Sequence, residues 1–170
     1  MKKILLLLLF FMIQFSFGQI STTRMNEMRI KSTLPEVEKA IGQKLEISKK
    51  LDDWLYNVKV NDKGSEFELS FTEYTDENGK QIIELYEITT KSTSIKTLSK
   101  LGVGSSLDDL WKAYKNYNIS IWNSWDEKTE KYSTTERIFQ LHDYDAGTAL
   151  YFQLRNGIVY KISLSFFEGC

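Results

Sequence analysis

A ten-residue segment occurs twice in this chain, 73 positions apart. Ser32-Thr33-Leu34-Pro35-Glu36-Val37-Glu38-Lys39-Ala40-Ile41 aligns without a gap with Ser105-Ser106-Leu107-Asp108-Asp109-Leu110-Trp111-Lys112-Ala113-Tyr114. Ser, Leu, Lys and Ala are identical, and Thr33/Ser106, Glu36/Asp109 and Val37/Leu110 keep their chemistry. The offset extends backwards through Met25 and Leu98, Met28 and Leu101, Ile30 and Val103. A single unit written twice restricts the fold to two similar halves, and halves of roughly 75 residues bury too little surface to stand well alone. The two are therefore expected to share one core.

The repeated segment has the chemistry of a helix start. Thr33 and Ser106 are capping residues, with an acidic residue three positions on to close a capping box. Pro35 falls in the first turn, where its missing N–H is harmless. Leu34, Val37 and Ile41, like Leu107, Leu110 and Tyr114, recur at helical spacing and form one apolar stripe. Gly42 ends the first helix, and the second is expected to reach about Tyr117.

Beyond each helix the period changes to two. Phe67, Leu69 and Phe71 alternate with Glu68, Ser70 and Thr72, and Asn78-Gly79 then turns the chain into a strand over 81–89. Leu150, Phe152 and Leu154 alternate with Tyr151 and Gln153, and Asn156-Gly157 turns into Ile158, Tyr160, Ile162, Leu164 and Phe166. Weaker strands are predicted over 54–60, 119–125 and 135–142. The expectation is an α+β fold, with two tandem repeats covering 19–92 and 93–170. Each repeat is a short helical lead-in followed by an antiparallel meander of three to four strands.

Residues 1–18 read as an address. Lys2-Lys3, an apolar run from Ile4 to Ile13, and small residues at Ser16 and Gly18 have the layout of a secretory signal peptide cleaved after Gly18. The run is shorter than the roughly 20 residues of a spanning helix. The chain is thus expected to be exported, to the periplasm or outside the cell, with no membrane span after cleavage. No Cys follows the apolar run to carry a lipid.

Leu101-Gly102-Val103-Gly104-Ser105-Ser106-Leu107-Asp108-Asp109-Leu110 followed by antiparallel strands resembles the lead-in of the β-lactamase-inhibitor-protein-like fold. That unit is shared with the small-protein-A (OmlA-type) outer-membrane assembly lipoproteins. The inhibitory proteins are tandem duplications of it, so the resemblance implies a scaffold for binding proteins at the cell envelope and no catalytic chemistry. This chain departs from both groups. It has one Cys, hence no internal disulfide, and Gln19 stands where the lipoproteins carry their lipidated Cys. Arg29-Ile30-Lys31-Ser32 also lacks the glycine that the second half has at Gly104.

Composition narrows the function further. With 22 Lys+Arg against 23 Asp+Glu and a net charge of −1, nothing favours nucleic acid. A single His and a single Cys exclude a zinc site of several such ligands and disfavour a Cys–His nucleophile pair. His142-Asp143-Tyr144-Asp145 reads as a polar loop between strands, Asp76-Glu77-Asn78-Gly79 as a solvated turn, and neither is expected to be catalytic or to bind metal. No cofactor is expected. Trp111 stands where the first repeat has Glu38, off the apolar stripe, and the sequence leaves open whether it is exposed or packs beneath the following loop. Trp111, Tyr117, Trp122 and Trp125 are the candidate partner-binding residues, since exposed Trp and Tyr favour interfaces. The leading expectation is a secreted or periplasmic, non-enzymatic protein-binding module of the cell envelope. The alternatives are a carbohydrate or small-molecule binding module using exposed Trp and Tyr, and a carboxylate-based hydrolase. Cys170, terminal and unpaired, reads as incidental, with a dimer linked through it as the alternative.

Overall fold

The computed structural model describes residues 19–47, 50–52 and 55–167. The signal peptide, Trp54 and Cys170 lie outside the described residues. Three short strands come first: β1 (Gln19–Ile20), β2 (Arg24–Met25) and β3 (Met28–Arg29). Helix α1 (Leu34–Ile41) follows, then β4 (Lys50–Asp52), β5 (Leu55–Asp62), β6 (Ser65–Thr75) and β7 (Gln81–Thr90). The second half has β8 (Lys96–Thr97), α2 (Leu107–Tyr114), β9 (Ile119–Asp126), β10 (Lys131–Asp143), β11 (Thr148–Arg155) and β12 (Ile158–Phe166).

The expected α+β class is wrong: of the described residues 54% are strand and 11% helix, in two sheets. Both helices form where the repeated segment places them, but they are the only ones among the described residues, and the stretch ahead of each is extended. Residues β1 to β3 and β8 form a small sheet of order β3-β2-β1-β8, and each helix is only eight residues long. The physical reason is local. Asn26, at φ 51°, turns β2 into β3, so Met25 and Met28 are buried from a hairpin. Gly42, at φ 71°, ends α1, and α2 stops at Tyr114 short of Tyr117.

The capping chemistry holds in both helices. Glu36 accepts from the N–H and hydroxyl of Thr33 at 2.8 and 2.9 Å. Asp109 accepts from the Ser106 hydroxyl at 2.7 Å, and Ser106 Oγ accepts the Asp109 N–H at 3.1 Å.

The large sheet has eight strands in the order β4-β5-β6-β7-β12-β11-β10-β9. The two meanders therefore join last strand to last strand, β7 antiparallel to β12, about an approximate two-fold axis. Thr89 faces Ser163 at its centre, Ile88 faces Leu164 and Thr90 faces Ile162. The hydroxyls of Thr89 and Ser163 lie 2.8 Å apart in a hydrogen bond.

The duplication persists in backbone detail. Lys31 N–H donates to Leu85 O (2.9 Å) and Leu85 N–H to Ser32 O (2.8 Å); Gly104 N–H donates to Val159 O and Val159 N–H to Ser105 O, both at 2.9 Å. Each half also carries a register slip at the matching place, with Tyr86 as the extra residue in β7 and Tyr160 in β12.

Cross-strand pairs share a face of a sheet, so the register sorts the residues. Val58, Leu69, Ile88, Leu164, Leu150, Leu141 and Ile119 form one apolar row across seven strands. Val37 of α1 and Leu110 of α2 are fully buried on this side, in one core cluster with the sheet and with Ile20, Met25 and Met28 of the small sheet. The 19–26 segment ties the halves together. Asn26 Nδ2 donates to Asp62 Oδ2 of the first half, and Thr22 Oγ1 to Asp143 Oδ2 of the second, each at 2.7 Å.

Candidate functional site

The other face of the large sheet is polar. One row runs Lys59, Glu68, Thr89, Ser163, Tyr151, Gln140 and Ser120. A parallel row runs Asn57, Ser70, Glu87, Ser165, Ala149 and His142. Both helices bury their stripes on the opposite side, so among the described residues no helix covers this face. Its centre is nonetheless tightly set: Ser163 is 2% exposed, Gln140 5% and Ala149 0%. Gln140 Nε2 donates to the Tyr151 hydroxyl at 3.1 Å, and burial pushes the Tyr151 hydroxyl above its ordinary pKa. Asn57 Oδ1 and His142 Nδ1, both buried on this face, have no hydrogen-bond partner among the described residues. A depression of about 370 Å³ on the first half's side is bordered by Lys59, Glu66, Glu68, Thr89 and Lys91.

The four candidate aromatics are all exposed: Trp111 50%, Tyr117 64%, Trp122 37% and Trp125 54%. The structure does not gather them into one patch. Trp122 pairs with Ile138 and ends a row of the open face after Gln153 and Ile138. Trp125, three positions on, projects to the opposite side of the strand and meets Tyr132 edge-on at 5.1 Å. Trp111 rides on α2, on the helix-bearing side. Tyr117 follows α2, edge-on to Tyr114 at 6.0 Å, and borders a recess of about 330 Å³ with Thr22, Asn118, His142, Asp143 and Tyr144.

His142 is held by its neighbours. Its Nε2 lies 3.1 Å from Ser120 Oγ, its ring stacks on Tyr144 at 5.2 Å and meets Phe167 edge-on at 5.1 Å. Burial keeps its pKa below the ordinary 6.5, so the ring is neutral at pH 7. Asp143 accepts from Thr22 and from the Ala146 N–H, both structural bonds. Among the described residues no group of three or more His, Cys, Asp or Glu side chains is placed to hold a metal ion.

Sequence reasoning missed Ile121 and Tyr132, exposed on β9 and β10. It also missed the joining of the two wet faces into one surface. The alternation of Glu68 and Ser70 in one half, and of Tyr151 and Gln153 in the other, marks each wet face; no local signal says which strands adjoin.

Among the described residues no helix is long and apolar enough to cross a membrane. No known protein family, curated protein or solved structure matches the chain.

Proposed function

We propose that this chain is a secreted or periplasmic, non-enzymatic protein-binding module of the cell envelope. It recognises its partner with the open face of the eight-stranded sheet and with Trp122 at the rim. The observation that carries this reading is the polar row from Lys59 to Ser120, which crosses seven strands with no helix over it among the described residues. A broad face of fixed hydroxyl, amide and carboxylate groups suits a protein surface, where polar pairing gives specificity. Glu66 and Glu68 are exposed and border a shallow depression with Lys59 and Lys91, in no enclosed cleft of the kind a carboxylate-based hydrolase needs. The export signal and the resemblance to the inhibitor-protein duplication point the same way.

The test is capture from an envelope extract by the exported protein, with Trp122→Ala and Tyr151→Ala as open-face variants and Trp111→Ala on the opposite side. Loss of the captured partner with the first two, and its retention with Trp111→Ala, is expected. Capture unaffected by both open-face variants would exclude this face.

A further inference from the structure

The eight-stranded sheet ends in two edges that are unlike. At one end β4 is three residues long and lies in the charged run Lys49-Lys50-Leu51-Asp52-Asp53. Short edges with charges are how sheet proteins prevent a further strand from adding. At the other end β9 is eight residues long, Ile-Ser-Ile-Trp-Asn-Ser-Trp-Asp, with no charge and no proline from Ile119 to Trp125. Its outer side is open. Apart from the ladder to β10, no backbone hydrogen bond among the described residues reaches 119–126. Ile121, Trp122 and Trp125 are all exposed along it.

The charges that flank this neutral strand have opposite sign. Lys115 precedes it, and Asp126 and Glu127 are the first charges to follow it, ahead of Lys128. Lys115 and Glu127 are exposed and form no ion pair among the described residues. An antiparallel copy of the same strand brings the entry of one β9 beside the exit of the other. Lys115 of each copy then meets the acidic end of its neighbour, twice in one isologous contact. A parallel copy would set like charges together.

From this juxtaposition we propose that β9 is a self-association edge. A second copy of this chain pairs antiparallel with it, through Ile119–Trp125, and continues the sheet across a true two-fold axis. The molecule already contains a contact of the same kind between other strands, since its own halves join by antiparallel β7 and β12 about Thr89 and Ser163. The open polar face lies at right angles to the new contact and stays free. The two readings share only Trp122, so Tyr151→Ala tests the face alone, and Lys115→Glu and Glu127→Lys test the edge alone.

Sedimentation of the exported protein over a range of concentrations, with reductant present to exclude a Cys170 disulfide, reads the outcome. A reversible dimer is expected. Trp122→Lys, which puts a charge on the edge, is expected to leave only monomer at the same concentrations. Lys115→Glu and Glu127→Lys act outside the strand and spare the fold. Each is expected to weaken dimerisation roughly ten-fold, because two ion contacts change sign. Mixing these two variants in equal amounts restores a dimer, since each supplies the charge that the other lacks. A monomer at all concentrations overturns the proposal, as does a dimer indifferent to Trp122→Lys or a mixture no tighter than the single variants.

Discussion

The two halves of this protein share a scaffold to the level of single backbone hydrogen bonds, yet they solve the same local problems differently. At the position that enters each helix the chain needs a left-handed residue. The second half places Gly104 there, at φ 92°, and the first places Lys31, at φ 68°. Lys31 accepts the strain and uses its side chain, whose ammonium lies 4.1 Å from the centre of the Phe166 ring in the other half. At the buried helix position Val37 corresponds to Leu110. At one buried lead-in position Met25 is fully enclosed, whereas its counterpart Leu98 is 82% exposed. Duplication therefore preserved what both copies need, the caps, the slipped tyrosine and the joining strand. The outer edges and the helix faces were free to diverge.

The size of the buried helix residue is the sharpest way to test that comparison. Leu110→Ala is expected to cost about 3 kcal/mol and Val37→Ala about 2 kcal/mol, in proportion to the groups removed from a shared core. Urea unfolding should show one transition for both variants, moved further by the first. Two separate transitions would mean that the halves do not share a core. The left-handed position comes next. Gly104→Ala meets no atom within 4 Å, so it isolates the backbone cost, expected at about 1 kcal/mol. Lys31→Gly relieves similar strain but loses the contact with Phe166, so thermal unfolding should place it close to the parent protein.

The smallest effect is the pH dependence of His142, which stands where the first half has Asn61 in the matching register. Burial lowers the folded-state pKa below 6.5, so the unfolded chain takes up the proton first as pH falls. Stability is complete above the ordinary histidine value and declines as pH drops through it. The chain has one His, so melting temperatures between pH 7.5 and 5.5 should fall in the parent and stay level in His142→Asn. A slope unchanged by that substitution would place its origin elsewhere.

Much of this was readable residue by residue. Thr33 and Ser106 cap helices, Gly42 ends one, and the alternations around Leu69 and Phe152 are strands with one wet side. The α+β class fails because each helix is only eight residues long, while residues 19–29, for which the sequence offers no period of two, form short strands around the turn at Asn26. Trp111 was undecided between burial and exposure, because its position off the apolar stripe says only what it does not face. The candidate aromatics looked like neighbours because they lie within fifteen positions of one another, but a strand sends Trp122 and Trp125 to opposite sides.

The sequence by itself determined the unit, its duplication and the caps and turns that punctuate it, since these depend on residues a few positions apart. Only the tertiary structure decided that the two meanders meet through β7 and β12. That contact joins residues 74 positions apart, Thr89 and Ser163, and no local preference selects it. The choice of last strand against last strand is what merges two wet faces into one open surface and leaves β4 and β9 as the edges. Strand order is fixed by which apolar rows fit over one core, a property of the whole chain and not of any stretch of it.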